Sequence, residues 1–395
     1  MIELLYVLAG CIIGIFTGIA PGIHINTVSA VLLVFSASGD FNLVLLIVAM
    51  SVMHAFVDFV TGILLGAPDE NSFLSVLPGH RLLLKGLGYK AIKLTSLGCF
   101  FGAIFALLLA PLFLVFIAKF IPLITIAIPY LLGFVLILMV YSEKNIGKKL
   151  WALAVIALSG IMGLYVLRNL SMGNALFPLI TGFFGISNLL FSLKNNSFLP
   201  KQRIEFSNYS KKMVLHGSFL SAIAGGLVAL LPIIGPNEAA FMLRKLLGKI
   251  STSKYLVMLG GISTSNMIFS FFVLFALGKT RTGSAAAIAQ IINLQAEHMV
   301  IIALVCVFVA GIAFLVTDIL AKALVNGMQS LNYKALNGLV LAVLLVLVFL
   351  LSGPFGLFVC AIATAVGLIP IATGTKRTNA MAFLMLPTML FYLGL

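Results

Sequence analysis

Residues Cys11 to Thr27 read C-I-I-G-I-F-T-G-I-A-P-G-I-H-I-N-T, and residues Ala222 to Glu238 read A-I-A-G-G-L-V-A-L-L-P-I-I-G-P-N-E. A slide of 211 places Gly14 on Gly225, Gly18 on Ala229, Pro21 on Pro232 and Asn26 on Asn237. In each half a helix of small residues runs into proline, and an asparagine follows five residues later. In an apolar chain, paired broken helices of this kind mark two internal repeats with ligand held at the breaks.

Composition sets the class. Of 395 residues, 62% are apolar and 9% charged, and the mean hydropathy is +1.23. A soluble domain carries about a quarter charged residues, so the chain is expected to be a polytopic, all-α protein of the cell membrane. The first apolar segment lacks a basic n-region and carries the repeat motif itself, which argues against a cleaved leader. Cys11, Cys99, Cys306 and Cys360 lie singly in apolar runs, so no metal site and no redox pair is expected. The net charge of +14 does not point to nucleic acid, because the basic residues sit in short loops, as the positive-inside rule requires.

Sixteen apolar segments can be drawn, at about 2–20, 23–37, 42–66, 71–84, 91–118, 122–141, 149–167, 174–193, 213–232, 238–250, 255–278, 283–295, 298–328, 335–351, 355–374 and 378–394. Several match the ~20 residues of a full span, and the shorter ones flank Pro, Gly or Asn breaks and read as half-helices or re-entrant hairpins. The organisation expected is a first transmembrane repeat over 1–193, a basic cytoplasmic linker over 194–212 and a second repeat over 213–395.

Charge supplies orientation. Arg81, Lys85, Lys90 and Lys93 face a second-half counterpart near 293–302 that holds Glu297 and no Lys or Arg. Arg244, Lys245, Lys249 and Lys254 face a first-half counterpart near 33–43 that holds Asp40 and no Lys or Arg. Opposite bias in equivalent loops is what inverted-topology repeats need. Threading on these anchors leaves all Lys and Arg cytoplasmic except Lys119, Arg168, Lys279 and Arg281. Both termini come out external.

Candidate site residues follow from the breaks. Half-helix N-termini after Pro21-Gly22 and Pro232 expose free N–H groups suited to an anion. There Asn26, Thr27 and Asn237 either contact substrate or simply cap the helices. The second pair of breaks, near Gly66 and Gly278, differs in charge, with Asp69 and Glu70 in one and Lys279, Thr280, Arg281 and Thr282 in the other. Arg and Lys suit a carboxylate or phosphate, and the alternative is an ordinary extramembrane turn. Asp58 lies inside an apolar run, four residues after His54 on one helix face. It is a candidate to bind Na⁺ or carry a proton, or to pair structurally with Lys279 or Arg281. Asp69, Glu70 and Glu238 are further coupling candidates, while Asp318 beside Lys322 reads as a helix-surface pair. No HExxH, GxSxG or Walker A motif points to enzyme chemistry.

Three stretches carry a family resemblance: Gly18-Ile19-Ala20-Pro21-Gly22; Gly62 to Pro68 followed by Gly79 to Gly86; and Leu277-Gly278 with Gly283-Ser284-Ala285. They resemble the large membrane subunit of tripartite tricarboxylate transporters, the TctA-type permeases, over roughly 10–115 and 220–300. The family's Asn-Asn pair is echoed by Asn266 alone, its Asn before Pro-Gly is Gly66 here, and Lys279 and Arg281 enter a normally uncharged turn. The resemblance implies a secondary transporter of carboxylate-bearing organic anions, with a small membrane subunit or a second copy as partner. It adds Asn266 to the substrate-binding candidates. H⁺ or Na⁺ would couple transport, no other cofactor is expected, and access would change as one repeat or bundle rocks against the other. The rival readings are a flippase for a polyprenyl-phosphate lipid carrier and an intramembrane enzyme acting on lipid phosphates.

Overall fold

The computed structural model describes residues 2–20, 25–32, 40–65, 73–169, 175–194, 200–206, 209–230, 235–248, 250–280, 282–328 and 333–395. All regular structure among them is helical. The first half contains α1 (Ile2–Ile19), α2 (Ile25–Leu32), α3 (Phe41–Leu65), α4 (Phe73–Leu83), α5 (Gly88–Tyr141), α6 (Ile146–Asn169), α7 (Leu176–Ile180) and α8 (Ser187–Lys194). The second contains α9 (Lys211–Leu230), α10 (Pro236–Leu246), α11 (Thr252–Leu277), α12 (Gly283–Ile291), α13 (Ala296–Met328), α14 (Tyr333–Thr373) and α15 (Ala382–Leu393). Eight of these helices are long and apolar enough to cross a membrane.

Two of the expected interruptions turn out differently. At 352–354 the break is a kink inside α14, where Gly353 takes φ 70°, a conformation that glycine adopts without the Cβ clash. At 119–121 the helix does not end, and α5 runs on for 54 residues. That is about 80 Å of helix, enough for two crossings of a ~30 Å core.

The compact units cut across the sequence halves. One comprises Met1–Leu64, Ser75–Ile121 and Leu199–Ser330, and the other Leu65–Leu74, Pro122–Phe198 and Leu331–Leu395. Each half therefore contributes residues to both.

In the first unit, the apolar cores of α3 and α11 are fully buried, since both helices carry apolar residues all round. Around them lie α1, α5 and α13, whose outer faces present Leu5, Ile12 and Phe16, Leu108, Leu112 and Val115, and Val300, Leu304 and Leu315. Lipid is as apolar as these side chains, so helices associate through close packing and hydrogen bonds rather than the hydrophobic effect. Glycine makes that approach possible. A methyl group at Gly98 of α5 would lie 2.0 Å from the Val257 carbonyl oxygen of α11, and one at Gly260 would lie 2.2 Å from the Thr95 carbonyl oxygen. Between them the Cys99 thiol reaches the carbonyls of Ala55 on α3 and Gly260 on α11, at 3.7 and 3.4 Å.

The linker is held down in this unit. Gln202 accepts from the Gly88 N–H and donates to the Leu83 carbonyl, at 3.0 and 2.9 Å. Arg203 N–H donates to the Gly86 carbonyl. The Asp318–Lys322 pair belongs to a larger cluster, in which Asp318 also accepts from Lys93 at 2.7 Å and from the Tyr89 hydroxyl at 2.8 Å.

In the second unit, α6, α14 and α15 pack with α7, α8 and a buried π-helical turn at Thr181–Ile186. Glycines again set the distance: a methyl group at Gly163 would run into the Phe383 carbonyl, and one at Gly367 would lie 2.5 Å from the Phe183 carbonyl oxygen. Buried Glu143 accepts from the Lys376 N–H at 2.9 Å and from the Asn379 amide at 3.2 Å. These bonds fasten the start of the last helical hairpin to the turn between α5 and α6.

Candidate functional site

A helix buried among apolar neighbours gains nothing from polar side chains unless they find partners. Yet α3 carries Ser51, His54, Asp58 and Thr61, spaced to fall on one face, and all four are buried. Thr61 donates to the Gly18 carbonyl at 2.9 Å and to the Asp58 carbonyl at 3.0 Å. Thr17 donates to the Gly14 carbonyl at 3.2 Å and lies 3.0 Å from Nδ1 of His54. Two side chains of the stripe thus clamp the end of α1 to α3 just before the Pro21 break.

Toward the other end of the stripe, Ser51 Oγ is hydrogen-bonded to Ser284 Oγ at 2.9 Å, and Ser284 lies 3.4 Å from Ser29. Ser29 belongs to α2, after the first break, and Ser284 to the first turn of α12, after the last; α2 and α12 pack against each other. The short helices that follow breaks in opposite halves therefore meet over α3. Sequence reasoning passed over Ser29 and Ser51 and met Ser284 only as part of the Gly283-Ser284-Ala285 turn. The available signal was the position of Ser51, three residues before His54 and on the same face.

On α11, Ser263, Asn266 and Ser270 form the corresponding stripe, buried throughout. Ser270 lies 3.2 Å from Thr282, which caps α12 by accepting the Ala285 N–H. Asn237 is fully buried at the second position of α10, whose N-cap is Gly235 with Pro236 at the first position. Asn26 likewise stands second in α2. Lys279 and Thr280 are exposed, in the turn between the left-handed cap Gly278 and Thr282. The structure thus brings Thr282 to α11 and leaves Lys279 and Thr280 facing outward. Pro21, Gly22, Gly66, Asp69, Glu70 and Arg281 lie outside the described residues, as do the side chains of Asn26, Thr27 and Glu238. Among the described residues no group of three or more His, Cys, Asp or Glu side chains could hold a metal ion.

Apolar spanning helices, buried polar stripes and short helices after breaks define a multi-pass membrane protein with the parts of a transporter. The chain belongs to the Tripartite tricarboxylate transporter TctA family, whose model matches residues 4–382. It is 31% identical over 402 residues to an uncharacterized protein of Methanocaldococcus jannaschii, covering all of both chains. No solved structure matches. The family is one of transporter subunits, so membership makes this chain a tricarboxylate transporter component.

Proposed function

We propose that the chain is the membrane permease of a secondary active transporter for a carboxylate-bearing organic anion. The observation that carries this reading is the pair of fully buried spanning helices, α3 and α11. Each bears a polar stripe and is flanked by a broken small-residue helix. Substrate would be held by Asn237, Asn266, Thr282 and the half-helix N-termini after Pro21-Gly22 and Pro232, near the bilayer midplane, with Lys279, Thr280 and Arg281 attracting the anion. Asp58, 6% exposed, is proposed as the group that binds the coupling Na⁺ or H⁺, since a carboxylate at that depth is costly without a cation or proton. The remaining parts of the proposal are inverted repeats with both termini external and at least one further subunit, as the word tripartite in the family's description suggests.

The test is uptake of citrate and of dicarboxylates into proteoliposomes under imposed Na⁺ or proton gradients. Accumulation driven by one gradient is expected. Asp58→Asn should abolish accumulation and keep exchange of bound substrate. Lys279→Ala should weaken uptake severalfold, most at low ionic strength, because an exposed cation acts by steering. Unchanged accumulation in Asp58→Asn would remove that residue from coupling. Hydrolysis of a lipid phosphate by the purified protein would replace the transport reading altogether.

A further inference from the structure

Contacts in the first unit align its two buried helices residue by residue. Gly10 of α1 sits against Leu46 and Ala49 of α3, and a methyl group there would lie 2.9 Å from the Ala49 Cβ. Its repeat counterpart, Ser221 of α9, donates to the Met258 carbonyl at 3.0 Å and sits against Gly261. One turn on, Gly14 meets Met53 and Gly225 meets Ser265. Both pairs of contacts give the same register, in which His54 corresponds to Asn266 and Asp58 to Ser270.

The register exposes one unmatched group. His54 has Thr17 beside it. The counterpart of Thr17 is Val228, buried and without a polar atom. Asn266 is 6% exposed, and its Oδ1 is sealed with no hydrogen-bond partner among the described residues. Its neighbours are committed elsewhere. Ser265 donates to the Gly261 carbonyl at 2.5 Å, and Ser270 to the Met267 carbonyl at 2.6 Å. A buried hydroxyl such as that of Thr264 can turn to a carbonyl of its own helix. An amide oxygen only accepts, and mid-helix every backbone N–H is already in use. Only a donor from outside the helix can complete Asn266.

Resting on the transport reading above, we propose that Asn266 contacts the transported molecule, its amide oxygen taking a hydrogen-bond donor that the molecule brings, a hydroxyl or a protonated carboxyl. One acceptor suffices for such a donor, whereas Na⁺ needs several oxygens around it; Gly225 of α9 lies against Asn266, and the register sets apolar Val228 where Thr17 stands beside His54. The two halves then treat equivalent positions differently. In the first, the polar group is closed by the protein; in the second, it is kept for the ligand.

Two variants test this, each read by thermal stability without ligand and by binding of citrate and tricarballylate, which differ by one hydroxyl. Val228→Thr places a hydroxyl where the register sets the counterpart of Thr17, to serve as a partner whichever way the amide is turned. Asn266→Leu removes the amide. Both should melt at or above the wild-type temperature, because each eliminates an unpaired buried group, and both should weaken citrate binding about tenfold, the worth of one ordinary hydrogen bond. If the ligand's donor is its hydroxyl, discrimination between the two acids collapses in both variants. If it is a protonated carboxyl, both acids weaken alike, and the loss grows as pH falls. Lower stability of Asn266→Leu, citrate affinity unchanged in both variants, or an effect confined to Na⁺ dependence would overturn the proposal. Wild-type protein that binds neither acid would instead sink the transport reading, and this inference with it.

Discussion

The hydroxyls of Ser51 and Ser284 are hydrogen-bonded at 2.9 Å although 233 residues separate them. Ser51 belongs to the buried helix of the first half and Ser284 to the short helix after the last break of the second. Replacing either with alanine should cost about 1 kcal/mol, the usual net value of a buried hydrogen bond. The double variant should cost less than the sum, since one bond is removed in both singles. Melting in detergent reads the cycle, and full additivity would mean that the two hydroxyls do not interact.

Glycines in the first unit are not equivalent. A methyl group at Gly98 would meet the Val257 carbonyl oxygen at 2.0 Å, while one at Gly311 of α13 has nothing within 4 Å. Gly98→Ala should force α5 off α11 and destabilise by about 1–3 kcal/mol or prevent folding, as overpacking does. Gly311→Ala should be neutral or slightly stabilising through helix propensity. Monodisperse expression and melting temperature separate the two, and equal behaviour would contradict the close approach.

Asp318 gathers Lys93, Lys322 and Tyr89. Lys322 is the most exposed member, at 47%, against 17% for Lys93. Lys322→Ala should change stability by less than about 0.5 kcal/mol, as exposed ion pairs generally do. Asp318→Ala leaves Lys93 and Tyr89 without their acceptor and should cost about 2–3 kcal/mol. Equal losses in the two variants would mean that the cluster is a surface feature.

Topology can be read with thiol reagents, because the four native cysteines are all buried. Lys85 and Gln295 are both exposed and stand in matching loops of the two halves. Lys85→Cys and Gln295→Cys should be labelled from opposite faces of the membrane. Gly86 is unsuitable, since its φ of 75° and its contact with the Lys201 carbonyl tolerate no side chain. Labelling of both from one side would end the inverted-repeat reading.

Most helix boundaries were legible because hydropathy and Pro/Gly punctuation act locally. The segments expected at 42–66 and 255–278 stand at Phe41–Leu65 and Thr252–Leu277. The continuity of α5 through 119–121 was not legible, since a proline inside an apolar helix can be accommodated or can break it, according to its neighbours. The candidate site was legible in part. Asp58 was singled out as a charged residue in an apolar run and Asn266 through the family resemblance, and both are buried. Ser29 and Ser51 were missed and the joining role of Ser284 was not seen, because single serines are common in membrane helices and only a partner distinguishes one that joins helices.

The repeated Pro–Asn break, the apolar spans and the loop charges follow from the chain alone, since each depends on neighbours in sequence and on the solvent that every segment must meet. Which residues of the two repeats face one another depended on the tertiary structure. Contacts such as Gly14 with Met53 and Gly225 with Ser265 are made between helices distant in sequence, and hydropathy is blind to a one-residue difference in register. That register turned Thr17 and Val228 from two ordinary helix residues into the difference between a closed polar contact and an open one.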